Sequence, residues 1–293
     1  MPPSNKGTRL GTRKKTISDI TVSLKDLLET GAHFGHQKRR WNPKMKRYIF
    51  EDRNGVCIID LSKTIVQIRS AIEVVEDVVA SHKSILFVGT KKQAKVIVRD
   101  FAEQAGEFYV CERWLGGMLT NLKTIRQSVK TLENIEKKIE CDQGSFTKKE
   151  LTVLSKKRDI LDKNLSGIRS MRKPPGLVII VDPNKEHIAV AESRKLGIPV
   201  MALVDTNCDP DPIDHVIACN DDALKSVRLI LGYMLSAILA VKEKRGIAIK
   251  KEDDAPKGAG APVFDKDAVH QEEKKESKVQ EESEKKRKDS ETK

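Results

Sequence analysis

Five consecutive aliphatic residues, Leu177–Val181, constrain the fold of this chain more than any other feature of its sequence. A strand with one face in water alternates apolar and polar side chains, whereas this run has no polar position. A strand of this composition is buried on both faces, which is typical of a parallel sheet covered by helices. The run therefore predicts a sheet with a helical layer on each side.

Strand-like runs and helical patterns alternate along most of the chain. After one such run, apolar residues recur at spacings of three and four, which is the periodicity of a helix buried on one side. This regular alternation predicts an α/β fold built on a doubly wound parallel sheet. The predicted strands are Val56–Ile59, Ile85–Val88, Phe108–Val110, Leu177–Val181, Val200–Val204 and Val216–Ala218.

Residues 118–169 interrupt this alternation with two longer amphipathic patterns. Apolar residues close to a heptad spacing run from Leu122 to Ile139 and again from Leu151 to Ile168. A turn at 142–144 separates the two patterns, and Thr147 with Glu150 forms a capping box at the start of the second. We therefore predict an antiparallel coiled-coil hairpin, residues 118–169, inserted into an α/β domain that comprises residues 21–117 and 170–245.

The two ends of the chain differ from this central part. Residues 1–20 form a basic, acid-poor arm without an apolar core, and we expect this arm to be flexible. Residues 246–293 form a charged tail with few apolar side chains, which predicts disorder. The last 43 residues carry 11 basic and 13 acidic side chains, although the whole chain has a net charge of +12. The positive excess therefore lies in the rest of the chain, and it favours a polyanionic partner.

The densest positive charge follows the first predicted helix, Leu24–Thr30. Cations interleaved with an aromatic ring suit the phosphates and unstacked bases of RNA. Lys91 and Lys92 open another predicted helix, whose free N–H groups favour phosphate. His33 and His36 are interpreted as hydrogen-bonding residues of the same surface. The complete set of predicted RNA contacts is His33, His36, Lys38, Arg39, Arg40, Trp41, Lys44, Lys46, Arg47, Lys91, Lys92, Arg113, Lys123, Arg126, Arg169 and Arg172.

Motifs for catalysis and for cofactor binding are missing from the sequence. The turn at Gly89 lacks the glycine spacing of nucleotide-binding loops, and no nucleophile motif such as GxSxG occurs. The pair His33 and His36 has no further metal ligand at a known spacing. The acidic segment Asp205–Asp214 lacks the glycine and the final glutamate of a calcium loop, although a weak metal or a protein partner there stays open. We predict no enzymatic activity, cofactor, metal or small-molecule substrate.

Further classes of protein are also weighed against the sequence. No apolar run of about 18 residues is evident, so no membrane span is expected. The five cysteines are scattered and odd in number, which indicates reduced thiols in a cytosolic protein. Two alternatives to RNA binding remain: a nucleotide-binding enzyme on the same fold, and a protein-interaction scaffold that acts through the coiled coil.

Several longer motifs lie roughly between Val22 and Glu243, namely GAHFGHQ, WNPKMKRYIF, ILFVGTKKQA, RWLGGMLTN, PGLVIIVDPNKEHIAVAESRKLGIP and ALVDTNCDPDPIDHVIACNDDA. Together they resemble the small-subunit ribosomal protein S-two family of the bacterial type. It implies a flavodoxin-like domain with an inserted coiled-coil hairpin, and a structural role in the small ribosomal subunit. It further implies contact with small-subunit rRNA and with neighbouring ribosomal proteins, support of assembly and translation, and help in docking the ribosomal protein S-one. The expected location is the cytoplasmic ribosome, with the ribosome of an organelle as the less favoured alternative, and the charged tail is not explained.

Overall fold

The structure is a computed structural model, and it describes residues 20–141 and 146–246. The predicted basic arm, the turn at 142–144 and the charged tail lie outside the described residues, apart from Ile20 and Gly246. In chain order the elements are α1 (Leu24–Glu29), β1 (Phe34–Gln37), two 3₁₀ turns (Lys38–Arg40 and Pro43–Tyr48), β2 (Ile49–Arg53), β3 (Val56–Ile59), α2 (Leu61–Ala80), β4 (Ile85–Val88), α3 (Lys92–Ala105), β5 (Phe108–Val110), α4 (Leu122–Cys141), α5 (Lys148–Leu165), a 3₁₀ turn (Ser166–Ile168), β6 (Leu177–Val181), α6 (His187–Lys195), β7 (Val200–Val204), β8 (His215–Ala218) and α7 (Leu224–Lys244).

Five parallel strands form the central sheet in the order β5-β4-β6-β7-β8. Successive side chains of each strand enter opposite apolar layers. Phe87 and Ile179 face a layer shared with α2, α3 and α7, whereas Leu86 and Val178 face a layer that contains residues of α4 and α6. All five residues of β6 are buried, as its composition predicts. The doubly wound, flavodoxin-like fold is thus confirmed, since the strand order matches that arrangement.

Strand β3 does not belong to the central sheet, and its placement in the parallel alternation was wrong. It lies between β1 and β2 in a separate antiparallel sheet of three strands. Asn54 and Gly55, both with positive φ, form the two-residue turn between β2 and β3. Asn-Gly between apolar runs is a strong hairpin signal, because both central residues of that turn need positive φ.

Helices α4 and α5 occupy the region predicted to form the hairpin, and they pack against each other. The capping box of Thr147 and Glu150 is confirmed. Ile125 of α4 and Leu165 of α5 join the same apolar layer as β4 and β6, so the base of this helix pair is part of the main core. The coiled-coil geometry and the domain boundaries at 118 and 169 stay predictions.

The return from α5 to the sheet passes unusually close to β5. A Cβ atom on Gly167 would lie 2.2 Å from the carbonyl oxygen of Tyr109. We expect Gly167→Ala to lower the free energy of unfolding by about 1–3 kcal/mol, because backbone or ring must shift. Gly116→Ala is the control, since no atom lies within 4 Å of a Cβ placed there. Equal urea midpoints for the two variants would contradict this close packing.

Helix α7 changes one expectation from the sequence. By length and composition it could span a membrane, which the sequence reading had excluded for every segment. In the structure, half of its most apolar window is buried. Its side chains Val227, Ile230 and Met234 pack in the layer that also holds α2 and α3. We therefore interpret α7 as a core helix.

Candidate nucleic-acid interface

Contacts of the backbone and of uncharged side chains hold the basic segment Lys38–Tyr48 in place. The Asn42 side chain accepts a hydrogen bond from the Lys44 N–H (3.0 Å), and the Asn42 N–H donates to the Thr206 carbonyl oxygen (2.7 Å). Met45 is fully buried in the apolar layer below. The segment is therefore a fixed platform, and its charged side chains point outward from it.

The cations of this segment divide into paired and unpaired groups. Lys38 lies 2.7 Å from Asp52, and Lys44 lies 2.7 Å from both Asp209 and Asp211. Arg47 lies 3.7 Å from Asp211 and covers the ring of Tyr48 at 4.9 Å. Trp41 is half-buried. The other three cations of the segment, Arg39, Arg40 and Lys46, are exposed and form no ion pair with any described residue.

The two predicted histidines lie in partly buried positions. The His36 ring reaches Asp205 through Nδ1 (3.0 Å) and Asp222 through Nε2 (3.3 Å). The hydrogen bond with Asp205 is the largest cause that raises the pKa of His36 above its ordinary value. The His33 ring packs against Phe34, and burial lowers the pKa of His33. His36 thus serves a network inside the protein, which its position in the sequence did not reveal.

Lys91 also points into this network rather than into solvent. Its ammonium group lies 3.0 Å from Asp182, 2.7 Å from Asp221 and 2.9 Å from Asp222. Parallel strands end at one edge of the sheet, and this brings residues after β4, β6 and β8 together. Only 13% of the Lys91 side chain is exposed, so its charge is already compensated. Lys92, by contrast, is exposed and has no ion pair among the described residues.

Two groups at this edge have ligand atoms that lie within 4.8 Å of one another, close enough to hold a metal ion: His36 with Asp205 and Asp222, and Asp182 with Cys208 and Asp221. Lys91 and His36 already place positive or hydrogen-bonding partners between these acids. The remaining acids of the segment 205–214 have their own partners. Asp209 and Asp211 pair with Lys44, and Asp214 accepts a hydrogen bond from the Val200 N–H. The absence of a metal stays a prediction.

A second group of cations lies where the loop 113–121 meets the base of α4 and α5. Arg113, Lys123, Arg126 and Arg172 are exposed and form no ion pair within the part of the chain that the structure describes. Arg169 is the exception, because it pairs with Glu136 and lies 3.8 Å from Asp162. The structure therefore offers two sets of unpaired cations, one on the basic segment and one at the base of the helix pair.

Sequence reasoning missed the residue that holds the loop 113–121. Glu192 of α6 is buried and accepts five hydrogen bonds from this loop. A signal was present, since the apolar pattern of α6 places Glu192 on the same buried face as Ala189. A charged residue on such a face requires a partner.

Comparison with known proteins adds independent evidence. The family described as ribosomal protein S2 matches residues 27–241. The small ribosomal subunit protein uS2 of Protochlamydia amoebophila is 68% identical over 234 residues, which cover 80% of this chain and 86% of that protein. The uS2 protein of Chlamydia felis is 61% identical, and the match covers 78% of this chain and 84% of that protein. The uS2 protein of Chlamydia pneumoniae is 59% identical, and the match covers 78% of this chain and 82% of that protein. On this evidence, and with the fold described above, the chain belongs to the ribosomal protein S2 family in its bacterial form.

Proposed function

We propose that this chain binds small-subunit rRNA through two surfaces, and that this binding holds it in the bacterial small ribosomal subunit. The loop cluster consists of Arg39, Arg40 and Lys46, and the hairpin-base cluster consists of Arg113, Lys123, Arg126 and Arg172. A structural role in the small subunit and a place in the cytoplasmic ribosome follow from the family. Contact with rRNA is the more specific part of the proposal, and these two clusters support it.

The observation that carries the proposal is the loop cluster itself. Its three cations are exposed and unpaired among the described residues, although neighbouring cations of the same segment are matched by Asp52, Asp209 and Asp211. Unpaired cations on a fixed platform are suited to phosphates, because no carboxylate has to be displaced and little backbone order has to be gained on binding. To contact RNA, each of the paired cations Lys38, Lys44 and Arg47 would have to give up its carboxylate partner for a phosphate. Lys91 and His36 are left out of the proposed interface because their partners are internal.

Neighbouring ribosomal proteins are proposed as further partners, including the ribosomal protein S-one. Support for this step comes from the family resemblance. The chain is also proposed to lack enzymatic activity, since Lys91, the cation nearest the turn at Gly89, is engaged by three carboxylates. A scaffold that acts through α4 and α5 alone would leave the loop cluster without a role.

Binding of the full chain to small-subunit rRNA tests the proposal. We expect saturable binding at moderate salt, with the logarithm of the association constant falling linearly with the logarithm of salt concentration. The protein should also cosediment with small subunits reconstituted without their own copy of it. Transfer RNA at the same nucleotide concentration serves as the control for charge alone. Equal affinity for both RNAs, or failure to cosediment, would overturn the proposal.

A further inference from the structure

Glu192 forms the centre of a compact set of hydrogen bonds between α6 and the loop 113–121. One carboxylate oxygen, Oε1, accepts from the Trp114 indole Nε1 (3.1 Å) and from the Gly117 N–H (2.7 Å). The other oxygen, Oε2, accepts from the Leu119 N–H (3.0 Å) and from both the N–H (3.0 Å) and the hydroxyl (3.1 Å) of Thr120. Both oxygens are thus fully used by one short loop.

The partners of this buried carboxylate are all neutral. Among the described residues no cation lies within ion-pairing distance of Glu192, whereas Asp182 and Asp221 share Lys91. Converging backbone N–H groups form an anion-binding concavity, which here is filled by a side chain of the protein itself. Burial alone would raise the pKa of Glu192, yet the hydrogen bonds from Thr120, Gly117, Trp114 and Leu119 outweigh it and hold the pKa below its ordinary value. The carboxylate therefore stays ionised at neutral pH.

The loop that Glu192 holds is flanked by the hairpin-base cluster. Arg113 immediately precedes Trp114, the first of the hydrogen-bonded residues, and Lys123 follows Thr120, the last, at the start of α4. Trp114, Met118 and Leu119 are buried in the apolar layer, so the loop is also anchored by packing. The direction in which α4 leaves the sheet and the spacing of Arg113 from Lys123 are both set by this loop.

We infer that Glu192 is a positioning residue for RNA binding, because it fixes the loop that carries Arg113 on one side and Lys123 and Arg126 on the other. The carboxylate does not touch RNA. It holds three cations in one arrangement, so that their contacts with phosphates form together. This inference rests on the proposed function, and it assigns to Glu192 a role that neither its burial nor its helix alone would suggest.

The isosteric change Glu192→Gln tests this role in the full chain. An amide group cannot accept five hydrogen bonds, so we expect faster hydrogen exchange at the amides of Gly117, Leu119 and Thr120. Binding to small-subunit rRNA should weaken about tenfold, and the salt slope should fall by about 2, since each lost phosphate contact removes about 0.7–0.9. A purely structural residue would lower the melting temperature and leave the slope of the folded protein unchanged.

Glu186→Gln is the matched control. Glu186 is also buried at the start of α6, but it accepts its hydrogen bond from Thr90 and does not contact the loop. Burial raises the pKa of Glu186 above its ordinary value, in the opposite direction from Glu192. We expect the rRNA affinity of this variant to stay within about twofold of the unchanged protein, well inside one tenfold step of 1.4 kcal/mol.

A second variant keeps the inference testable if Glu192→Gln does not fold. Thr120→Val removes one of the five hydrogen bonds at an exposed position. Its rRNA affinity should fall about threefold, and its salt slope should also fall. If the unchanged protein binds rRNA and a folded Glu192→Gln or Thr120→Val variant binds with the same affinity and slope, the positioning role is wrong. If the unchanged protein does not bind rRNA, it is the proposed function that fails.

Discussion

Replacing Arg39, Arg40 and Lys46 together with glutamine is expected to weaken rRNA binding by about 10- to 100-fold at physiological salt. The three cations are exposed, and none forms an ion pair within the described ranges, so each is free to contact a phosphate. Three lost contacts should reduce the slope of log affinity against log salt by about 2–2.7. The platform beneath them should persist, because Met45 and Asn42 hold it.

A charge-matched control separates local contact from net charge. Lys25, Arg194 and Lys195 are exposed cations of α1 and α6 that lie outside both clusters. Their triple replacement with glutamine removes the same net charge, yet it should change the slope by less than one phosphate contact. If both triple variants lose affinity equally, binding depends on overall charge and the loop cluster has no special role. An unchanged slope in the folded loop variant would remove Arg39, Arg40 and Lys46 from the interface.

Lys91→Met is expected to lower the free energy of unfolding by about 3–5 kcal/mol at pH 8, because it leaves buried carboxylates without their shared cation. Asp182 and Asp221 each lie close to Lys91, and their side chains are 7% and 0% exposed. Neighbouring Lys92 is exposed and unpaired among the described residues, so Lys92→Met should change stability by less than about 0.5 kcal/mol. Urea unfolding of both variants measures the difference.

The decrease in the free energy of unfolding caused by Lys91→Met should also depend on pH. Burial, followed by the charge of Asp205, raises the pKa of Asp221 to about 7 in the folded protein, from an ordinary value of 3.8. The folded state therefore binds more protons than the unfolded state between these two values, and stability falls as pH rises through that window. His36 acts in the same direction, since its raised pKa gives stability that is present at low pH and lost as pH rises.

Removal of the cation should make this pH dependence steeper. Without Lys91, Asp221 has a stronger tendency to take up a proton, and its Oδ2 atom has no hydrogen-bond partner among the described residues. The variant should therefore be closer to the unchanged protein at pH 5 than at pH 8. Equal decreases in the free energy of unfolding at the two pH values would show that packing of the aliphatic part of the lysine side chain, rather than its charge, accounts for the effect. Asp221→Asn in the Lys91→Met background should recover part of the stability, because it removes one uncompensated charge.

Local patterns in the sequence were sufficient for most of the fold. The uniformly aliphatic strand β6 and the apolar periodicity of the helix after β3, which is α2, predicted a sheet with two helical layers, because burial on one or both faces leaves a direct mark on residue order. Strand β3 shows where this fails. A short apolar strand followed by a helix has the same pattern in a parallel sheet as in a separate hairpin. Only the turn at Asn54 and Gly55 distinguishes the two cases.

The site was less predictable than the fold. The sequence located the basic segment, but it did not distinguish unpaired Arg39 from paired Lys44, whose partners Asp209 and Asp211 lie about 165 residues further along the chain. It likewise did not reveal that Lys91 is internal and Lys92 external. Pairing of this kind depends on which strand ends become neighbours. One sequence read by itself contains no local signal for such pairing.

The contacts that seat the basic segment have a consequence for the order of events during synthesis. The Asn42 N–H bonds to Thr206, the His36 N–H bonds to the hydroxyl of Thr206, and the Asn220 side chain bonds to the Gly31 carbonyl, across 170 and 189 residues in the last two cases. Closing such long loops is entropically costly and slow compared with forming local helices. A nascent chain therefore cannot complete the platform of the basic segment until β7 and the residues after it have left the exit tunnel. If the loop cluster binds rRNA as proposed, a partly synthesised copy that lacks Thr206 and Asn220 would present these cations on an incomplete support.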